Sequence, residues 1–474
     1  MSEEQKPVEP KVEEGAKDAV AEAKAGATVA KKDAEPVAKK VQKSFNKKTS
    51  YDRGKRNRKG QGSEKSFVGL LKSSNFKEKA KDSEILDRLP AFNGTNLRLG
   101  EIARYDEESL RKMYISGSFK PLQFNELYSK PVTLIRSLET AKLAKFYSSC
   151  LSNQTSSTNR MLITGPPGVG KSTILSQFQA LALGTTGNAI LLPISDAEAL
   201  VDGSSDFKLN SVTGLYDQQM YAKTLLKKII AVNKPYLSDL KLSEDFVPIY
   251  STKKLQESQK LDKDTHSLLD LASIGATHQT NSTYVFVKLL KELSSQKQYP
   301  VFITIDNISA FVQNAMTNYR DADNVPIHFQ KFQLANTLVD YLSGDSTFVK
   351  GGIVASIRGS DKHVSNETIA VGLGLKQPNL YKKFADFDRQ FADKLIKNGG
   401  INHLPVSKFS VDECQTLLSH MLGCNVIHNE YQMAEEVELL GQEEYITKLA
   451  ERKYLISGNG NARLLVESCV LAYV

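Results

Sequence analysis

The stretch Met161-Leu-Ile-Thr-Gly-Pro-Pro-Gly-Val-Gly-Lys-Ser-Thr-Ile-Leu175 limits what this chain can fold into more than any other. Gly165, Gly170, Lys171 and Ser172 satisfy the phosphate-loop pattern: a glycine, four free positions, then Gly-Lys-Ser. Pro166, Pro167, Gly168 and Val169 fill the free positions, and Thr173 follows. The pattern has a physical reason. Glycines lack a Cβ, so successive backbone N–H groups can turn inward as an anion-binding nest. Lys171 then sets an ammonium near the outer phosphates, and the Ser172 hydroxyl can ligate a magnesium ion. Residues 161–164 read as a buried strand entering the loop. A helix over about 171–183 aims its N-terminal dipole at the same anion. A Gly/Pro-rich turn without a ligand shares the composition but not this strand–loop–helix context.

Strands and helices alternate around the loop. Residues 189–194, 301–306 and 350–358 are runs of β-formers, and Leu404-Pro-Val406 is a candidate last strand. Helices are expected over 132–151, near 217–232 and over 284–293, whereas 234–281 is polar and weakly periodic. This alternation predicts an α/β fold, a parallel sheet flanked by helices with ligands at the carboxyl ends of the strands. Asp306 ends Val301-Phe-Ile-Thr-Ile-Asp306 in the manner of a Walker B carboxylate, able to orient magnesium through water opposite Ser172. Many phosphate-loop hydrolases place a water-polarising Glu next. Here Asn307 follows, and an amide is no general base, which argues against fast turnover. Ser356 lies where related folds place a polar γ-phosphate sensor, a position a buried structural serine fills equally well. Ser457-Gly-Asn-Gly-Asn-Ala-Arg-Leu-Leu465 puts Arg463 in the first turn of a helix. That is an unfavourable place for a cation unless it faces an anion such as nucleotide phosphate; the alternative is a plain surface charge. Asn233-Lys-Pro-Tyr236 lacks the Asp of a standard guanine-reading motif.

The positive charge of the chain is local. Between 39 and 59, ten basic residues (Lys39, Lys40, Lys43, Lys47, Lys48, Arg53, Lys55, Arg56, Arg58 and Lys59) face one acid, Asp52, while the whole chain carries only +8. With Phe45 and Tyr51 interleaved, such a run suits the phosphate backbone of RNA; a solvated charged linker has the same composition. Residues 1–65 are therefore expected to be a disordered basic tail, and 66–131 an extended lead-in that wraps the core. Residues 132–406 would form the nucleotide-binding domain and 407–474 a C-terminal helical subdomain. The latter opens on Ser410-Val-Asp-Glu413, a capping box for a helix through Leu422. Four cysteines without metal-ligand spacing suggest buried free thiols in a reduced compartment. No apolar run approaches the ~20 residues of a membrane helix, so no membrane insertion is expected. The acidic front of the chain shows no clear import presequence.

Several motifs occur in a recognisable order. After the loop come Ile194-Ser-Asp-Ala197, Tyr216-Asp-Gln-Gln219 with Leu225-Leu-Lys227 and Asn233, and Ile305-Asp-Asn-Ile-Ser-Ala310. Gly351-Gly-Ile-Val-Ala-Ser356, Phe409-Ser-Val-Asp-Glu413 and Asn459-Gly-Asn-Ala-Arg-Leu-Leu465 follow. Together they resemble the death-associated protein 3 family of mitochondrial small-ribosomal-subunit proteins, in a fungal form, over about 130–474. The resemblance implies an AAA-like nucleotide-binding fold in the head of the mitochondrial small subunit, in the matrix, with contacts toward the large subunit. It implies small-subunit rRNA and neighbouring small-subunit proteins as partners. It also implies a bound purine nucleotide, GTP or GDP with Mg2+, with ATP left open by the residues themselves. Family members likewise lack the Glu after the Walker B Asp; the basic tail and the 234–281 insertion depart from the family pattern. Three functions fit: a ribosomal structural protein holding nucleotide, an active AAA-type ATPase, and an origin-recognition-like nucleic-acid-binding switch. The missing Glu weighs against the second. The short run of chain after Arg463, with no room for a winged helix, weighs against the third.

Overall fold

Five strands form the centre of the molecule: β1 (Arg160–Thr164), β2 (Ile190–Ile194), β3 (Val301–Ile305), β4 (Gly351–Ser356) and β5 (Asn402–Pro405). All pair in parallel, in the order β5-β1-β4-β3-β2. This computed structural model describes residues 81–470, apart from 95–96, 121–122, 153–154, 185–187, 250–259, 314–315, 360–366, 380, 382–386, 428–437 and 439–440. The strands are continuous apolar runs because both sheet faces are covered. Leu162, Ile190, Leu192, Val301, Ile303 and Ile353 belong to the core on one face. Met161, Ile163, Leu191, Phe302 and Val354 belong to the core on the other, following the period of two that a strand imposes.

Helices α1 (Glu107–Ser116), α2 (Glu139–Ser152) and α3 (Lys171–Leu183) cover the second face, through Leu110, Met113, Leu143, Phe146, Ile174 and Phe178. The first face is covered by α4 (Gln219–Asp239), the helix Leu268–Thr277, α5 (Ser282–Ser295) and α6 (Gln333–Ser343). Because α1 packs on α3, the loop helix is buried almost all round, from Ile174 to Leu183. Its buried Gln177 donates to Thr133 Oγ1 at 2.6 Å and to the Leu134 carbonyl at 2.9 Å.

Three expectations change in detail. The helix expected over 132–151 begins only at Glu139; Val132–Leu134 instead pairs antiparallel with Ile102–Arg104. β-branched Val132 and Thr133 fit a strand better than a helix start. The helix expected near 217–232 runs from Gln219 to Asp239, straight past Pro235. Within 234–281, the helix Leu268–Thr277 starts on a capping box between Ser267 and Asp270.

The C-terminal part holds α7 (Val411–Gly423), α8 (Gln442–Ile456) and α9 (Ala462–Val470) around a separate apolar cluster. The Ser410–Glu413 capping box is formed as expected. Glu413 does a second job: buried Arg136, just before α2, donates to both of its carboxylate oxygens at 3.0 and 3.1 Å. The same guanidinium donates to the Ser407 and Lys408 carbonyls, fastening the start of α7 to the core. All four cysteines are free and buried. Among the described residues no helix is long and apolar enough to cross a membrane.

Asn233 has a structural task that its motif position conceals. β2 is an edge strand, and its outward backbone groups need partners. Asn233 on α4 supplies them, accepting from Leu191 N at 2.8 Å and donating to the Leu191 carbonyl at 2.8 Å. Asn233→Leu leaves both groups buried and unpaired, at ~1–3 kcal/mol for each unsatisfied group. The expected result is a loss of about 2–6 kcal/mol, read as a lower urea midpoint with an unchanged slope. An unchanged midpoint would show that Asn233 does not hold the sheet edge.

Candidate functional site

The loop leaves β1 and enters α3 with Gly165, Gly168 and Gly170 at φ of +146°, +78° and +94°, values that favour glycine. Two of them are also closed to a side chain. A Cβ on Gly165 would meet the Val406 carbonyl oxygen at 2.5 Å, and one on Gly168 would meet Asn461 Oδ1 at 2.5 Å. Val169 is buried in the core beneath the loop, while Pro166, Pro167 and Thr173 face outward. Lys171 folds back along the loop, donating to the carbonyls of Gly165 (2.9 Å) and Pro166 (2.6 Å). Burial pushes its ammonium down to a pKa of about 8, although the Asp306 charge acts in the opposite direction. Gly359, beyond β4, presses on this arrangement: a Cβ there would lie 2.6 Å from Lys171 Nζ and from Pro167 N.

The neighbouring strand ends supply the acids. β4 lies between β1 and β3, so Ser356 and Asp306 meet, and the Ser356 hydroxyl donates to Asp306 Oδ1. Ser172 Oγ lies 3.4 Å from both Asp306 oxygens. A hydroxyl and a carboxylate are the hard oxygen donors Mg2+ takes, with phosphate and water completing its shell. Among the described residues no group of three or more His, Cys, Asp or Glu is placed to hold a metal by itself. The residues therefore fit a magnesium ion that arrives with phosphate.

Asn307 is built into a different role from that of a water-polarising acid. Its φ of +63° is a left-handed conformation that Asn tolerates and most residues avoid. Its amide donates to Asp196 Oδ1 at 2.9 Å and to Glu198 Oε2 at 3.3 Å. Arg358 donates to the same Glu198 oxygen at 2.7 Å. A carboxylate at 307 would face two carboxylates.

Three contributors to the site are not singled out as site residues from the sequence. Lys120, from the lead-in, donates to Asp306 Oδ2 at 2.5 Å and to Asp196 Oδ2 at 3.4 Å. Asp196 lies beside Asp306 because the Asp306 N–H donates to the Ile194 carbonyl, and the Ala197 N–H to the Asp306 carbonyl. Asn461 donates its amide to the Pro167 carbonyl at 2.8 Å. Two residues away, the Arg463 N–H donates to the Gly168 carbonyl at 2.9 Å, while its side chain is more than half exposed and pairs with Glu467 at 2.8 Å. The backbone of Arg463, rather than its guanidinium, touches the loop. The strand-end position of Asp196 and the glycine turn around Asn461 give signals in the sequence; Lys120 arrives through tertiary packing alone. The basic residues between 39 and 59 lie outside the described residues.

Comparison with known proteins places this geometry. The family model described as mitochondrial ribosomal death-associated protein 3 matches residues 133–468. The small ribosomal subunit protein mS29 of Schizosaccharomyces pombe is 25% identical over 359 residues, 75% of this chain and 71% of that protein. Among solved structures, a Walker-type ATPase of Pyrococcus abyssi aligns over 70% of each chain at 15% identity, with a TM-score of 0.28. The family match covers well over half of the sequence and includes the loop, Asp306 and the C-terminal turn. This chain belongs to the mitochondrial ribosomal death-associated protein 3 family.

Proposed function

We propose that this chain is a structural component of the mitochondrial small ribosomal subunit that holds a purine nucleotide, GTP or GDP with Mg2+, as a lasting part of its fold. Family membership supports the ribosomal placement; in this reading the chain lies in the matrix, among small-subunit rRNA and neighbouring proteins, with contacts toward the large subunit. The strand order β5-β1-β4-β3-β2, with the loop after β1 and an acid after β3, supports an AAA-like nucleotide site. Loop amides and Lys171 would hold the phosphates, and Ser172 with Asp306 the magnesium. The single observation that carries the static reading is Asn307, whose amide is occupied by Asp196 and Glu198 where a hydrolase needs a free base.

Lys171→Ala removes the cation of the loop. A hydrogen bond to a charged group contributes ~1.5–3 kcal/mol, so nucleotide affinity should fall by about 10–100-fold. Calorimetric titration with GDP and GTP measures it, and unchanged affinity would sink the site assignment. The pH dependence has opposite signs for binding and for stability. Lys171 must be charged to meet phosphate, so affinity should fall as pH rises above about 8, by at most about tenfold per unit. Its folded pKa lies below the usual 10.5, so the ligand-free protein should gain stability between about pH 8 and 10.5.

Turnover should be negligible. General-base assistance is worth roughly 10²–10⁴ in rate, and nothing at 307 supplies it. Asn307→Glu should not restore it, because the left-handed backbone and two facing carboxylates oppose the new side chain, lowering stability by about 1–3 kcal/mol. Phosphate release by purified protein and by intact small subunits tests this. Steady multiple turnover abolished by Lys171→Ala would make the chain an AAA-type ATPase instead.

The basic run between 39 and 59 would lie on rRNA. Each neutralised phosphate adds to the salt dependence of binding, so deleting residues 1–62 should weaken RNA association and flatten its salt slope. An identical slope would make the tail a solvated linker.

A further inference from the structure

We propose that Lys120 is a built-in counter-cation for the Walker B carboxylate, so that GDP stays bound here when the magnesium ion is removed. The inference rests on the nucleotide reading above and concerns how that site is neutralised. In a phosphate-loop site of the usual kind, the metal ion offsets both the strand-end acid and the phosphates. Here an ammonium from the chain itself donates to Asp306 Oδ2 at 2.5 Å and reaches Asp196 Oδ2 at 3.4 Å. Asp306 Oδ1 already accepts from the Ser356 hydroxyl, and Ser172 Oγ stands 3.4 Å from both oxygens. The carboxylate is thus neutralised and hydrogen-bonded within the protein.

This is no loose surface contact. The Lys120 side chain is only 27% exposed and that of Asp306 12%. The segment that carries Lys120 is pinned to the loop helix and the sheet. Ser118 Oγ donates to Gln179 Oε1 at 2.5 Å, Ser176 Oγ donates to the Ser118 carbonyl at 3.2 Å, and Gln179 Nε2 donates to Thr304 Oγ1 at 2.9 Å. Gly117, at φ +79°, ends α1 immediately upstream, and a Cβ there would come within 3.0 Å of Ser195 Cβ. A cation anchored in this way has already lost its freedom on folding, and it cannot be removed by chelation. A magnesium ion arriving with phosphate would share Asp306 with the ammonium, and on its removal the ammonium would still offset the carboxylate. Lys120 thereby acts as a binding and positioning residue whose charge stands in for part of the metal's.

Equilibrium titration of GDP into the full chain, in excess Mg2+ and again in EDTA, tests this. Wild-type affinity should change by less than about threefold on chelation, because the fixed ammonium remains. Lys120→Met should bind GDP in Mg2+ but lose more than about tenfold in EDTA, and Lys120→Arg, which keeps the charge, should behave like wild type. A wild-type loss of more than about tenfold on chelation overturns the proposal while leaving the nucleotide site standing. So does a Lys120→Met protein whose affinity is as indifferent to EDTA as the wild type's. Should Lys120→Met fail to fold, the wild-type comparison alone decides. If neither GDP nor GTP, ADP or ATP binds in either condition, the nucleotide reading itself falls and the role of Lys120 falls with it.

Discussion

A parallel sheet must be buried on both faces, and most of this molecule follows from meeting that requirement. Helices α4, α5 and α6, together with Leu268–Thr277, close one face. The other has α2 and α3 from the core, and α1 from a lead-in that precedes the sheet by more than forty residues completes it. Recruiting the lead-in as a cover explains why the site contains Lys120. Once Leu110 and Met113 are seated against the loop helix, the chain leaving α1 passes the carboxyl ends of β1 and β3, where Asp306 and Asp196 gather. A packing need on one face thus places a cation in a site formed by the sheet.

The parts legible in the sequence are those whose physics is local. β1, β3 and β4 are apolar runs because they are central strands, and the loop follows β1 because glycines must stand at fixed spacing around an anion. The Ser410–Glu413 capping box is likewise a contact within one turn. What stayed hidden depends on distant chain. Val132 and Thr133 have helix-compatible spacing and become a strand because Ile102–Arg104 lies opposite. Asn233 looks like a fragment of a guanine-reading motif, yet it caps the free edge of β2, a role visible only once the strand order is known. Lys120 and Asn461 lie 186 and 294 residues from their partners Asp306 and Pro167; no motif announces Lys120, and the glycine turn that contains Asn461 draws attention to Arg463 instead.

The acids at the mouth of the site are paired within the protein. Asp196, Glu198 and Asp306 are met by Lys120, Arg358 and the Asn307 amide, so each acid already has a donor from the protein. A general base must be free to accept a proton from water, and here the acids nearest the strand end are engaged. Lys171 is held by two loop carbonyls with its pKa lowered by burial, and an anion beside it would stabilise its charged form.

The nest also depends on the C-terminal helices. Backbone N–H groups can converge on an anion only if the carbonyls of the same peptides point outward, and outward carbonyls in a partly covered site need donors. Pro167 and Gly168 find them in the Asn461 amide and the Arg463 N–H, at 2.8 and 2.9 Å. The turn that presents these donors is itself fixed, since the Phe409 N–H donates to the Gly460 carbonyl at 2.7 Å and a Cβ on Gly460 would meet the Phe409 carbonyl oxygen. Phe409 lies under the Arg136 guanidinium, which grips Glu413 at the start of α7. One continuous set of contacts therefore runs from the helical part to the peptides that would face a phosphate. Loop geometry and the seating of α7 and α9 stand or fall together.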